Sequence, residues 1–376
     1  MNNRQRVNAI LHYQPYDRMP VVAFGYWEET VDKWAEEGYI TKEEAWGYRH
    51  LGDSSPADQS IMKKLGFDFN WSNCAGPIHS LFPPFEPEVL RREADGAKVM
   101  RNADGLIVRV HDGIVSIPSE IGTSLTGRDA WEKLYLPRLQ FTPERINHEH
   151  FSALLKQDEK RDLPLGLMVG SLYGHVRNML GVEELAYLEV DDEALYGEVI
   201  STLSDICFQS AEYILTHFPI HFDYAHFWED ICFKNGPLVS PRTFEKFVGP
   251  HYKRITDLCL SHGIDIVSLD CDGCIDKLIP IWLENGVNTM YPIEVGTWNA
   301  SIAPWRQQYG PSLRGVGGVD KRVFAWDKQA VDNEVERLKP LVELGGYIPC
   351  IDHRIAPDAK FPLVQYYCER FRKVFG

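Results

Sequence analysis

A chain of 376 residues with 44% hydrophobic content is long enough to bury one large core or two ordinary ones. Its 39 basic against 54 acidic residues give a formal charge of −15, a field that repels nucleic acid and anionic lipid and argues against partners gripped through phosphate. There is no run of about 18 apolar residues and no apolar signal core behind residues 1–6, and the eight cysteines are scattered without disulfide-scaffold spacing, so a cytoplasmic protein in a reducing compartment is expected.

The chain opens with helical spacing over 4–13, before Pro15, and a short strand at 19–25. Helices follow over 28–37 and 41–50, the second opened by a Thr41/Glu44 capping box. Residues 66–71 alternate aromatic and polar, as a strand does. Between 88 and 121 the texture turns β-rich, with strand-like runs at 99–101, 106–110 and 114–117 separated by Asp104-Gly105 and Asp112-Gly113. Such pairs favour hairpin turns, so an antiparallel β-hairpin insertion at about 88–121 is expected inside one domain spanning 1–376. From 163 onward the alternation is regular. Strands are predicted at 164–170, 219–227, 264–270, 287–293, 312–318 and 346–352, and helices at 182–189, 193–216, 241–261, 275–285 and 330–344. With the two N-terminal strands this makes eight β units, and their continuous apolar runs suit strands buried on both faces. The expected fold class is α/β, a (β/α)8 TIM barrel. A doubly wound open sheet is the second choice, weakened by the lack of a GxGxxG or a Walker sequence.

Three of the apolar runs end in reactive groups. His226, Trp228, Glu229 and Asp230 close the first, Asp270, Cys271, Asp272 and Cys274 the second, and Cys350, Asp352 and His353 the third. A barrel gathers its functional groups at the C-terminal strand ends, which would put all three in one pocket. Asp270 and Asp272 share a face of an extended strand, and two repelling carboxylates there need a cation, a shared proton or an arginine. A divalent metal is one solution: Asp270, Asp272 and His353, with Glu229 as a further ligand or acid/base, would offer the donors of a catalytic Zn²⁺. The competing reading has Asp270 capping the next helix and Asp272 pairing with a surface lysine. Cys271-Asp272-Gly273-Cys274 is formally a CxxC without a thioredoxin-like setting, and Cys271 or Cys350 as a metal thiolate stays open. Tyr173, His175, His226, Trp228 and Tyr291 are singly more often wall residues, but together would line a substrate-binding pocket for a flat apolar ligand. Gly317 and Gly318, ahead of Asp320 and Arg322, serve either close approach of a ligand to the backbone or a tight turn capped by Asp320.

The run Trp228-Glu229-Asp230-Ile231-Cys232-Phe233-Lys234-Asn235-Gly236-Pro237-Leu238-Val239-Ser240-Pro241 resembles a signature of the uroporphyrinogen decarboxylase superfamily. Residues 244–255, 286–294 and His353-Arg354-Ile355-Ala356-Pro357-Asp358 are similar to later blocks of that superfamily, and the likeness covers 163 to the C-terminus. It implies a (β/α)8 barrel. The porphyrinogen decarboxylases carry an arginine-rich motif early in the chain that clamps substrate carboxylates. The corresponding place here reads Val21-Val22-Ala23-Phe24-Gly25-Tyr26-Trp27-Glu28-Glu29, without either arginine, which disfavours a polycarboxylate substrate. The other branch comprises zinc-dependent methyltransferases that work with corrinoid proteins. Asp270-x-Asp272 stands where some of them have His-x-Cys, and His353 where they have a last Cys. These harder ligands suit Lewis-acid activation of an ether oxygen better than of a thiol. The resemblance thus implies a methyltransferase of the O-demethylase type, moving a methyl group between a small methoxylated aromatic and the corrinoid (cobalamin) of a partner protein. A cofactor-free decarboxylase using His353 and Asp68 is one alternative, and a non-catalytic barrel that binds a tetrapyrrole or a corrinoid protein is another. Neither nucleic acid nor membrane is an expected partner, and a homodimer stays open.

Overall fold

The structure, a computed structural model, describes residues 1–111 and 118–376. Its strands in chain order are β1 (Val22–Ala23), β2 (Phe69–Asn70), β3 (Cys74–Ala75), β4 (Glu88–Arg92), β5 (Lys98–Arg101), β6 (Leu106–Val110), β7 (Ser119–Thr123), β8 (Gly166–Gly170), β9 (Tyr224–Trp228), β10 (Cys232–Phe233), β11 (Gly236–Pro237), β12 (Val267–Asp270), β13 (Thr289–Tyr291), β14 (Arg314–Val319) and β15 (Tyr347–Ile351). Nine of them form one curled parallel sheet in the order β2-β1-β15-β14-β13-β12-β9-β8-β3. The two edge strands are neighbours in the chain, separated by Trp71, Ser72 and Asn73 alone. The sheet therefore curls until its edges meet in one segment, a TIM-barrel-like arrangement. The second β unit, predicted as a single strand, is two short pieces on either side of Trp71. That indole stacks on Tyr224 of β9 (centroids 4.6 Å apart) and its Nε1 donates to Ser268 Oγ of β12 (3.3 Å). Contacts with strands so distant in the sheet order put Trp71 inside the curl.

Alternation along each strand sorts the side chains. Leu167, Val169, Ala225, Phe227 and Leu269 pack in one large apolar cluster with the helices. The other face carries Met168, His226 and Ser268 side by side in register, then Trp228 beside Asp270. Helices fill the crossovers, Glu193–His217 between β8 and β9 and Lys328–Val342 between β14 and β15. The Thr41/Glu44 capping box forms. The span predicted as one helix over 241–261 is two, Pro241–Phe247 and Gly249–Ser261, because Pro250 has no N–H to continue the first and suits the opening turn of the second. Only Ile279–Glu284 of the helix predicted over 275–285 forms. The loop before it turns at Gly273, with φ of +87°, where a Cβ would stand 2.4 Å from Cys232 O. A helix over Pro56–Leu65, capped by Ser55, is absent from the sequence prediction.

Residues 88–123 carry a second, antiparallel sheet, in the order β4-β5-β6-β7, with Asp104-Gly105 at the β5–β6 turn. The strand predicted at 114–117 and the Asp112-Gly113 turn lie outside the described residues. Among the described residues no helix is long and apolar enough to cross a membrane.

Candidate active site

At the C-terminal ends of the parallel strands, Asp272 and His353 meet, with His353 Nε2 and Asp272 Oδ2 3.1 Å apart. The imidazole lies against two aromatic rings, Phe24 (5.3 Å, near-parallel) and Trp27 (5.6 Å), and Phe24 stacks in turn on Tyr291 (5.0 Å). The dyad is thus oriented by packing as well as by its hydrogen bond. Asp272 Oδ1 and His353 Nδ1 are buried and have no hydrogen-bond partner among the described residues. Glu294 fixes the loop that carries Asp272, accepting from Gly273 N (2.5 Å) and from Thr297 Oγ1 (2.7 Å).

More carboxyls crowd the dyad. Burial, then the charges of Asp272 and Asp230, push Asp270 well above the ordinary carboxylate range. Burial and Asp272 raise Asp230 and Glu294 in the same direction. Burial pushes Asp352 up to about 6, although the amides of Gly296 (2.8 Å) and Lys321 (3.1 Å) donate to it. Lys321 is surrounded by Asp352, Glu294 and Asp272, and burial lowers its own pKa. Carboxyls this close cannot all ionise, so the cluster holds protons that dilute carboxylates would have released.

The remaining residues named from sequence divide in two groups. Trp228 lies at the mouth beside Asp270, with His175 near its ring (5.9 Å). His226 sits one layer deeper, fully buried, with Nδ1 3.2 Å from Ser268 Oγ and its pKa pushed down to about 4 by burial. Tyr291 is buried beneath Phe24. Tyr173, by contrast, turns to the helix layer, where its ring packs against Tyr196 and Phe244 and its hydroxyl accepts from Tyr196. It does not line the mouth. Cys271 is buried toward Ile231 N, and Cys350 lies in the core. Asp320 caps its turn as one of the two readings required, accepting from Arg322 N (3.0 Å).

Glu229 requires a correction. It is fully buried, and its two oxygens accept from the amides of Leu172 (2.8 Å), Tyr173 (3.0 Å) and Gly174 (2.7 Å), the hydroxyl of Ser171 (3.2 Å) and the hydroxyl of Tyr252. Burial raises its pKa while these donors pull the other way. Five donors leave no lone pair for a metal or a substrate proton, so Glu229 anchors the turn after β8. Asp68 stands at the opposite end of the barrel, before β2, held by Arg18 (2.7 and 3.0 Å), Arg372 (3.0 Å) and Val21 N (2.8 Å). It cannot share a pocket with His353. Of the set expected to hold zinc, only Asp272 and His353 touch, and among the described residues no group of three His, Cys, Asp or Glu side chains is arranged to hold a metal ion. This donor set does not fit a tetrahedral zinc shell. What it offers as it stands is proton transfer.

Compared by sequence, the chain matches no protein-family profile and no curated protein. Compared by structure, it aligns with the methyltransferase from Methanosarcina mazei over 100% of this chain and 99% of that one, at TM-score 0.60 and 15% identity. The chain shares the fold of that structure. The B12-independent methionine synthase from Shewanella sp. W3-18-1, in complex with selenomethionine, aligns over 95% and 99% of the two chains at TM-score 0.50 and 9% identity. At these identities the likeness is one of fold. Within this fold, sequence reasoning missed Phe24, Trp27, Glu294 and Lys321. Phe24 and Trp27 lie in the stretch noted only for its missing arginines, and Glu294 directly follows a predicted strand, a position that could have flagged it.

Proposed function

We propose that the chain is a methyltransferase of the O-demethylase type, moving the methyl group of a small methoxylated aromatic to the corrinoid of a partner protein. The observation that carries the reading is the register pair Trp228 and Asp270, which sets an aromatic wall directly beside the proton-bearing cluster. The docked corrinoid would supply the nucleophile for the methyl carbon. The chain's own residues then have three tasks. Trp228 and its neighbours hold the ring flat, the barrel mouth keeps water from the reacting ether, and the Asp272–His353 dyad delivers a proton to the departing aryl oxygen. An aryl oxygen that leaves as a phenol rather than a phenolate leaves far more readily, which is the work general acids do in enzymes.

The test is a mixture of the purified chain, a reduced corrinoid protein and 2-methoxyphenol. The expected products are the methylated corrinoid, read from its visible spectrum, and the demethylated phenol. Turnover of no methoxyarene, or turnover that proceeds equally well without corrinoid, would sink the reading. Metal analysis supplies a second check. Zinc well below one per chain is expected, with activity unchanged by a chelator. One zinc per chain, lost in Asp272→Ala, would replace proton donation by Lewis-acid catalysis.

A further inference from the structure

Beside the carboxylate cluster lies a cavity of about 400 Å³, within the range of roughly 300–1,000 Å³ common for small-molecule sites. It opens where β3, β8 and β9 end. Trp228, Met168 and Ile78 give it apolar walls, and two histidines, His79 and His175, face it. His79 is 5% exposed and its Nε2 has no hydrogen-bond partner among the described residues. The Nδ1 of His175 is likewise buried without a partner. Burial, reinforced by their mutual proximity, pushes His79 down to about 3, and burial pushes His175 down to about 4, so both rings are neutral at physiological pH. A neutral imidazole offers one donor and one acceptor.

The chamber is built, not incidental. The loop that carries His79 is fastened by Arg145, itself 1% exposed, whose guanidinium donates to the carbonyls of Ile78 (2.8 Å), Ser80 (2.7 Å), Gln140 (2.9 Å) and Arg138 (2.5 Å). Ile78 N closes the clasp on Arg145 O (2.9 Å). Among the described residues no Asp, Glu, Lys or Arg lines the cavity. Of the two cations behind the wall, Arg145 is turned to the carbonyls it clasps, and Arg177, 6.0 Å from the Trp228 ring, is bound to Asp230 O (2.9 Å), the Asp230 carboxylate (3.6 Å) and Asn178 Oδ1 (2.9 Å). An anion placed here would lose its hydration and touch no charged side chain in the cavity wall.

We infer that this chamber binds an uncharged hydroxylated aromatic ring through His79 and His175, and that it rejects the same ring bearing a carboxylate. The inference deepens the proposed methyl transfer and rests on it only in calling the ligand a substrate. Binding is therefore measured without turnover, by calorimetry on the full chain with 2-methoxyphenol, methoxybenzene and 4-hydroxy-3-methoxybenzoate. The expected result is a Kd for 2-methoxyphenol about tenfold below that for the benzoate. In His79→Phe the Kd for 2-methoxyphenol should rise about tenfold, the size of one buried hydrogen bond, while that for methoxybenzene, which has no hydroxyl, stays put. His175→Phe guards against a misfolded first variant and should show the same split. A benzoate that binds as tightly as the neutral ring, or a Kd for 2-methoxyphenol unchanged in both variants, would overturn the inference. Tight binding of 2-methoxyphenol with no demethylation would support the chamber while removing the methyl transfer. Demethylation with no preference for the neutral ring would do the reverse.

Discussion

Replacing His353 by phenylalanine is expected to lower kcat/KM for methyl transfer by about 10³-fold, inside the 10²–10⁴ range of a general acid, while leaving the melting temperature nearly unchanged. The substitution keeps a flat ring against Phe24 and Trp27, so the packing that orients position 353 survives. What is lost is the nitrogen 3.1 Å from Asp272 Oδ2, and with it the path of the proton. Asp272→Asn provides the companion measurement, since it preserves volume and removes the carboxylate. Because the dyad acts as a unit, the double variant should be little worse than either single one. The loss should fall on kcat rather than KM, because the proton moves only in the transition state. A variant at position 353 that retained activity within threefold (about 0.7 kcal/mol) would remove His353 from the reaction.

Glu229→Ala is expected to cost about 3–5 kcal/mol of stability, the largest single loss in the site region, without touching a reacting atom. The carboxylate satisfies three successive amides, Leu172, Tyr173 and Gly174, and two hydroxyls, in a place with no access to water. Alanine would leave these donors buried and unpaired. Glu229→Gln keeps one carbonyl acceptor and should cost less than half as much. Denaturant titrations of the two variants give the comparison directly. If Glu229→Ala were as stable as the parent but inactive, the anchoring role would be wrong and a direct part in chemistry would have to be restored.

The barrel was legible where burial leaves an unambiguous mark. β8, β9, β12 and β15 are apolar runs closed by polar residues, and a strand buried on both faces can look like little else. The split second unit was not legible, because its break depends on Trp71 reaching Tyr224 and Ser268, two strands far away in the chain. Pro250 and Gly273 broke predicted helices for local reasons that periodicity ignores. In the site, the Asp272–His353 contact followed from two residues at strand ends. The status of Glu229 did not follow, since a carboxylate at a strand end reads the same whether it faces a ligand or five protein donors. His79 gave no signal at all. Its place is set by Arg145, a residue 66 positions later in the chain whose guanidinium binds only carbonyls, which any sequence would provide.

Trp71, wedged between Tyr224 and Ser268, stoppers the barrel from below. With that floor in place, a ring held against Trp228 in the proposed reaction would enter and leave by the same mouth. A protein partner seated on that doorway would seal in the small molecule, so loading must precede docking and the spent ring departs only once the partner lifts away. The pace of the cycle would then be set by undocking, and crowding the enzyme with partner would slow it.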